Sequence, residues 1–167
     1  HVRSRRQRQM CIRDRSQYGS VDPAPPQPDG SFIQWQTTLM NEEAPMFQRM
    51  RTVFSFRNHG TDEACLALCA AFITSSALLR HELAYVLGQM QNPVALPTLV
   101  ERLADAEEHI MVRHEAAEAM GAIGDRSVKH VLETHMKDPN PEVAESCEVA
   151  LDLLNWCDSP QWEQTSW

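Results

Sequence analysis

Apolar side chains recur at three- and four-residue intervals from Ala44 to about Trp156, and this pattern falls into register with itself. The run Met46–Phe54 aligns with Ala77–Tyr85, then with Ile110–Glu118 and Glu142–Ala150, at offsets of 31, 33 and 32 residues. Each unit reads as two helical segments. The first closes at a turn signal: Asn58-His59-Gly60, Gln91-Asn92-Pro93 or Gly124-Asp125. The second runs through Ala64–Ile73, Val94–Ala104 and Val128–Met136, with Leu96, Leu99, Val100 and Leu103 on one face and Pro97 in a first turn, where its missing N–H is harmless. One antiparallel pair cannot bury its apolar face alone, so the copies must stack. The pattern predicts an all-α fold, an α-solenoid of about four short helical-hairpin repeats over residues 44–156.

The flanks differ in kind. Residues 20–43 read as a proline-rich linker, with four prolines between Ser20 and Gly30, followed by a short amphipathic stretch from about Phe32 to Met40. Residues 157–167 read as a tail, and residues 1–19 as a disordered or non-native basic extension. That extension changes the charge picture. The net charge is −8, but residues 1–20 contain six Arg and one Asp, leaving nine basic against 22 acidic side chains in the body. An acidic body disfavours nucleic acid and favours cationic partners. No stretch has the roughly 20 apolar residues of a membrane span, nor is there a secretory core near the N-terminus, so no membrane association and a cytoplasmic location are expected. The five cysteines are odd in number and lack C-x-x-C spacing, which points to neither a disulfide framework nor a zinc knuckle. Cys65 and Cys69 read as buried thiols. Trp35, Trp156, Trp162 and Trp167 lie outside the repeated pattern or at its end and suggest docking against another surface.

The candidate chemistry lies inside the repeat. Seven His and fourteen Glu in 167 residues make one His-Glu neighbour pair an expected accident. Here Arg80-His81-Glu82 and Arg113-His114-Glu115 occupy the same phase of two successive units. Neighbouring residues on a helix point about 100° apart, so His81 and Glu82 cannot comfortably hold one ion between them. Equivalent positions of stacked repeats lie side by side instead. That arrangement brings His81 to His114 and sets Glu82 and Glu115 in a second row. Two imidazoles and a carboxylate with open positions form the ligand set of an oxygen-activating non-haem Fe(II) site. The zinc-protease H-E-x-x-H and the ferritin-type E-x-x-H spacings are absent. The first and fourth units carry Met50-Arg51 and Ser146-Cys147 in the same places, so the apolar frame does not itself require His-Glu. Met111, one turn before His114, is placed to wall a pocket or to pack in the core. His59, His109, His130 and His135 share no spacing and read as surface residues.

The units are similar to short HEAT repeats. More specifically, residues 76–90 and 111–124, with the Ser20–Pro26 segment and Glu145–Asp152, resemble deoxyhypusine hydroxylase over about residues 20–155. The resemblance implies a di-iron monooxygenase, with two Fe(II) per complete site, that hydroxylates the deoxyhypusine side chain of a eukaryotic translation factor, its protein substrate. Members of that family have two halves, each contributing two His-Glu pairs; the ending and the Ser20–Pro26 segment here resemble the C-terminal half. By resemblance, His81 and His114 are iron ligands, Glu82 reaches the ion held by the opposite half, and Glu115 is a carboxylate beside the metal or facing substrate. Both glutamates therefore enter the metal and catalytic sets, and Met111 lines the substrate side. With two pairs rather than four, the chain is expected to need the missing N-terminal half, or a second copy, for activity. The alternative is a non-catalytic HEAT-repeat scaffold that binds partner proteins.

Overall fold

The computed structural model describes residues 22–27 and 29–159; the basic extension and the end of the tail lie outside the described residues. Among these, eight α-helices follow one another: α1 (Phe32–Met40), α2 (Met46–His59), α3 (Asp62–Ala70), α4 (Ala77–Met90), α5 (Leu96–Ala104), α6 (Ile110–Ile123), α7 (Lys129–His135) and α8 (Pro141–Cys157). Single 3₁₀ turns at 71–73, 93–95 and 126–128 flank α3, α5 and α7. No strand occurs among the described residues, and no helix there is long and apolar enough to cross a membrane.

Local chemistry accounts for the boundaries. Ser31 and Gln34 form a reciprocal capping box that starts α1, and the Thr61 and Ser76 hydroxyls accept the backbone N–H of Ala64 and Leu79 to start α3 and α4. Each predicted turn is a helix stop. Gly60 (φ 71°) and Gly124 (φ 75°) adopt the left-handed conformation that ends α2 and α6, and Gln91 (φ 49°) does the same after α4 without glycine's freedom. The Asn92 and Asp125 side chains then cap the next 3₁₀ turns.

The helices stack in two layers. Motif helices α2, α4, α6 and α8 lie side by side, and α1, α5 and α7 each pack on the motif helix that follows, with α3 between α2 and α4. The amphipathic stretch beside the linker is therefore α1, and its Leu39 is fully buried. Trp35 also finds its docking surface within the chain, edge-on to Phe56 at 5.7 Å and to His59 at 6.2 Å. One continuous core runs between the layers, through Val53, Phe54, Phe56, Leu79, Leu83, Leu87, Leu99, Leu103, Met120 and Leu132.

Spacing within the motif layer is set by two glycines. A Cβ on Gly88 would stand 3.0 Å from the Ala119 Cα, and one on Gly121 would stand 2.9 Å from the Ala150 Cα. Only a bare Cα lets α4 approach α6, and α6 approach α8, this closely. The equivalent position in α2 is Arg57, and α2 meets α4 over a smaller area. Arg57 stacks on Phe54 at 4.7 Å and bonds to Gln89 and, through both ends of its guanidinium, to Asp22 of the proline-rich strap. The strap is further held by Arg51, which donates to the Pro25 and Pro26 carbonyls, and by Ser55, which accepts from the Gln27 N–H.

Candidate metal centre

The two tripeptides sit in the middle of the motif layer, on α4 and α6, and each of their residues takes a different direction. The arginines point backward and lock the helices. Arg80 makes a bidentate contact with Glu108 and donates to the Thr74 carbonyl at 2.7 Å. Arg113, only 5% exposed, donates to the Leu103 carbonyl at 3.0 Å and pairs with Asp138. Arg49 of the first repeat does the same with the Leu39 carbonyl, Glu42 and Thr74. Each arginine ties the start of a motif helix to the loops around it, which fixes the azimuth of the residue that follows.

That following residue is the histidine. The His81 and His114 rings stand 5.7 Å apart, centroid to centroid, both half-buried. Glu115 turns toward them, with its Oε2 3.3 Å from His81 Nε2. One ligand atom from each of His81, His114 and Glu115 can be chosen so that all lie within 4.8 Å of one another. Three atoms bound to one ion at about 2.1 Å lie roughly 3–4 Å apart, so the side chains would have to draw together by about 1–2 Å to close the set. The donors fit a non-haem iron site, and His81 Nδ1, buried without a hydrogen-bond partner among the described residues, shows that the protein alone does not satisfy this ring.

Glu82 stands apart from that trio. It is 8% exposed and its Oε1 has no hydrogen-bond partner among the described residues. Burial pushes its carboxyl up; His81 opposes, Glu115 and Asp22 add to the rise, and Arg57 also opposes. A buried carboxyl held near other acids and left short of donors is poised to take a cation. The hydrogen bond that the His81 ring donates to Glu115 raises the His81 pKa above its ordinary value, against the opposing effect of burial.

Met111 is half-buried in the first turn of α6, packed against the core beside His114. His59, His109 and His130 are exposed, His109 serving as the N-cap of α6. Cys65 and Cys147 are buried and Cys69 and Cys157 half-buried, and Cys65 and Cys69 form no disulfide. Sequence reasoning missed Glu118. It lies four residues after His114, with Oε1 3.5 Å from His114 Nδ1, and that i, i+4 spacing was the available signal. The helix-locking role of the motif arginines was also missed, because their acidic partners lie 25 to 28 residues away.

Comparison with known proteins agrees with the repeat fold. The profile of the HEAT-repeat family matches residues 66–152. Deoxyhypusine hydroxylase from Danio rerio is 47% identical over 150 residues, covering 90% of this chain and 49% of that protein. The Homo sapiens protein of the same name is 48% identical over 136 residues, covering 81% and 45%. The structure of human deoxyhypusine hydroxylase in complex with glycerol superposes with a TM-score of 0.79 at 47% identity, covering 81% of this chain and 47% of that one. The chain thus spans about half the length of the curated relatives it matches. It belongs to the HEAT-repeat family and, along that half, is a relative of the deoxyhypusine hydroxylases.

Proposed function

We propose that the chain is the C-terminal half of a deoxyhypusine monooxygenase, which hydroxylates the deoxyhypusine side chain of a translation factor once its other half, or a second copy, completes the site. The observation that carries this reading is the convergence of His81, His114 and Glu115 from two successive repeats. Relatives bearing the enzyme's name support it.

Iron(II), when bound, supplies the capacity to activate dioxygen for insertion of one oxygen atom into a C–H bond. The chain's own residues do the rest. His81 and His114 offer neutral nitrogen lone pairs, so a proton held at the His81 ring against Glu115 leaves as metal enters. Glu82, buried and short of donors, is the carboxylate that reaches a second ion across the interface. Glu115 offers one carboxylate oxygen beside the two imidazoles and would accept hydrogen bonds from the substrate's ammonium groups with the other, and Met111 would pack on the substrate's methylenes. The acidic body draws a cationic chain toward this face.

Adding an independently expressed complementary half to this chain, with Fe(II) and oxygen, tests the reading through hypusine formation on the deoxyhypusine-bearing factor. Product with wild type and none with His81→Ala or His114→Ala is the expected result. If the reconstituted pair neither binds iron nor forms product, while this chain still captures partner proteins, the scaffold reading replaces it.

A further inference from the structure

The fourth repeat carries Ser146 where the second and third carry His81 and His114, and its hydroxyl is not idle. Ser146 is 7% exposed, and its Oγ donates to Glu118 Oε1 at 2.9 Å. The same Oε1 lies 3.5 Å from His114 Nδ1. Three side chains on two helices thus form a line, Ser146 to Glu118 to His114, that continues the histidine row toward the end of the solenoid.

Glu118 is half exposed, with 47% of its side chain open to solvent, and an unanchored glutamate there would sample several rotamers. The buried Ser146 hydroxyl holds it in one. That hydroxyl is itself placed by the close approach of α6 and α8 at Gly121 and Ala150. A carboxylate fixed beside an imidazole selects the tautomer carrying its proton on the near nitrogen and leaves the lone pair on the other.

We propose that Glu118 and Ser146 are positioning residues: they hold the proton of His114 on Nδ1 and so present Nε2 to the metal. This deepens, and rests on, the reading of His81 and His114 as ligands. The fourth repeat then contributes the last hydrogen bond of the metal row rather than a degenerate copy of it. Among the described residues His81 has no such partner on Nδ1, and Glu115 lies against its Nε2 instead.

The test uses the full chain, labelled with nitrogen-15, at mildly alkaline pH without metal, and reads the histidine tautomers from long-range proton–nitrogen correlations. Wild-type His114 should be the Nδ1–H form. Glu118→Ala and Ser146→Ala should shift it toward the Nε2–H form, and Glu118→Gln and Ser146→Thr, which keep an acceptor and a hydroxyl, should restore it. Anaerobic titration with cobalt(II) as a spectroscopic stand-in should show about a 10- to 100-fold loss of affinity in Glu118→Ala, with a smaller loss in Ser146→Ala. An unchanged His114 tautomer in both folded alanine variants overturns the proposal. A Glu118-dependent tautomer in a chain that binds no cobalt upholds this positioning but contradicts the metal reading of the site.

Discussion

The contact between α2 and α4 and the contact between α4 and α6 are built on one frame and do different work. In both, an arginine latch precedes the residue that faces the neighbouring motif helix. Between α4 and α6 that residue is His on both sides, the helices are brought together at Gly88, and two rings meet at 5.7 Å. In α2 the same positions hold Met50, which is 6% exposed, and Arg51, while Arg57 stands where glycine would be. There the surface serves the chain itself, as Arg51, Ser55 and Arg57 hold the strap. The repeat thus supplies position and azimuth; chemistry is decided by which side chain occupies the slot and by whether glycine allows close approach.

The largest effect should come from the shared latch. Arg113→Ala leaves Asp138 buried beside the Arg113 site without its cation, and equilibrium denaturation should show a loss of about 3–5 kcal/mol. Burial alone would raise the Asp138 carboxyl, but its bonds to Arg113 and Asn140 hold it below its ordinary value, which is the interaction the substitution removes.

The next pair of substitutions should separate the two regions. Met50→Ala should cost about 2–5 kcal/mol, as for a truncated core side chain, and leave metal affinity unchanged. At the same frame position, His81→Ala should remove metal binding with little loss of stability, because its ring is only half-buried. Equal stability losses from the two would undo the comparison.

Gly88→Ala probes the close approach. The added Cβ meets backbone at 3.0 Å, so overpacking of about 1–3 kcal/mol is expected by thermal or chemical denaturation, with weaker metal binding as the rings separate. Arg57→Ala, at the matching site in α2, should release the strap and leave metal affinity intact.

The smallest effect is a pH dependence of the metal-free chain. Because Glu115 raises the folded-state pKa of His81 above 6.5, the stabilisation from their pairing is fully present below that value. It is lost as pH rises through the raised pKa. In Glu115→Gln this component of the pH–stability curve should disappear.

Much of this was legible in the sequence, and the particular residues show why. The starts of α2, α4 and α6 coincide with the first residues of the aligned copies, Met46, Ala77 and Ile110, because the apolar period begins there and, for α4 and α6, the Ser76 and His109 side chains cap the helix. The stops at Gly60 and Gly124 follow from the left-handed conformation that glycine adopts freely. The role of α1 was harder to read, since a nine-residue helix after a proline-rich segment shows its partner only when Phe32, Trp35 and Leu39 are seen against α2. At the site, the meeting of His81 with His114 followed from repeat phase alone. That Glu115 joins them while Glu82 stays apart was not read, because it depends on each glutamate facing the preceding motif helix: Glu115 meets His81 of α4, whereas Glu82 feels Arg57 of α2 and Asp22 of the strap.

The central claim is that His81 and His114, from different repeats, share one ion. Anaerobic Fe(II) or cobalt(II) titration of the full chain, with X-ray absorption to count imidazole ligands, tests it most directly. One ion per chain bearing two imidazoles, lost in either single alanine variant, is the predicted result; an ion retained in either variant, or one bearing a single imidazole, would contradict it.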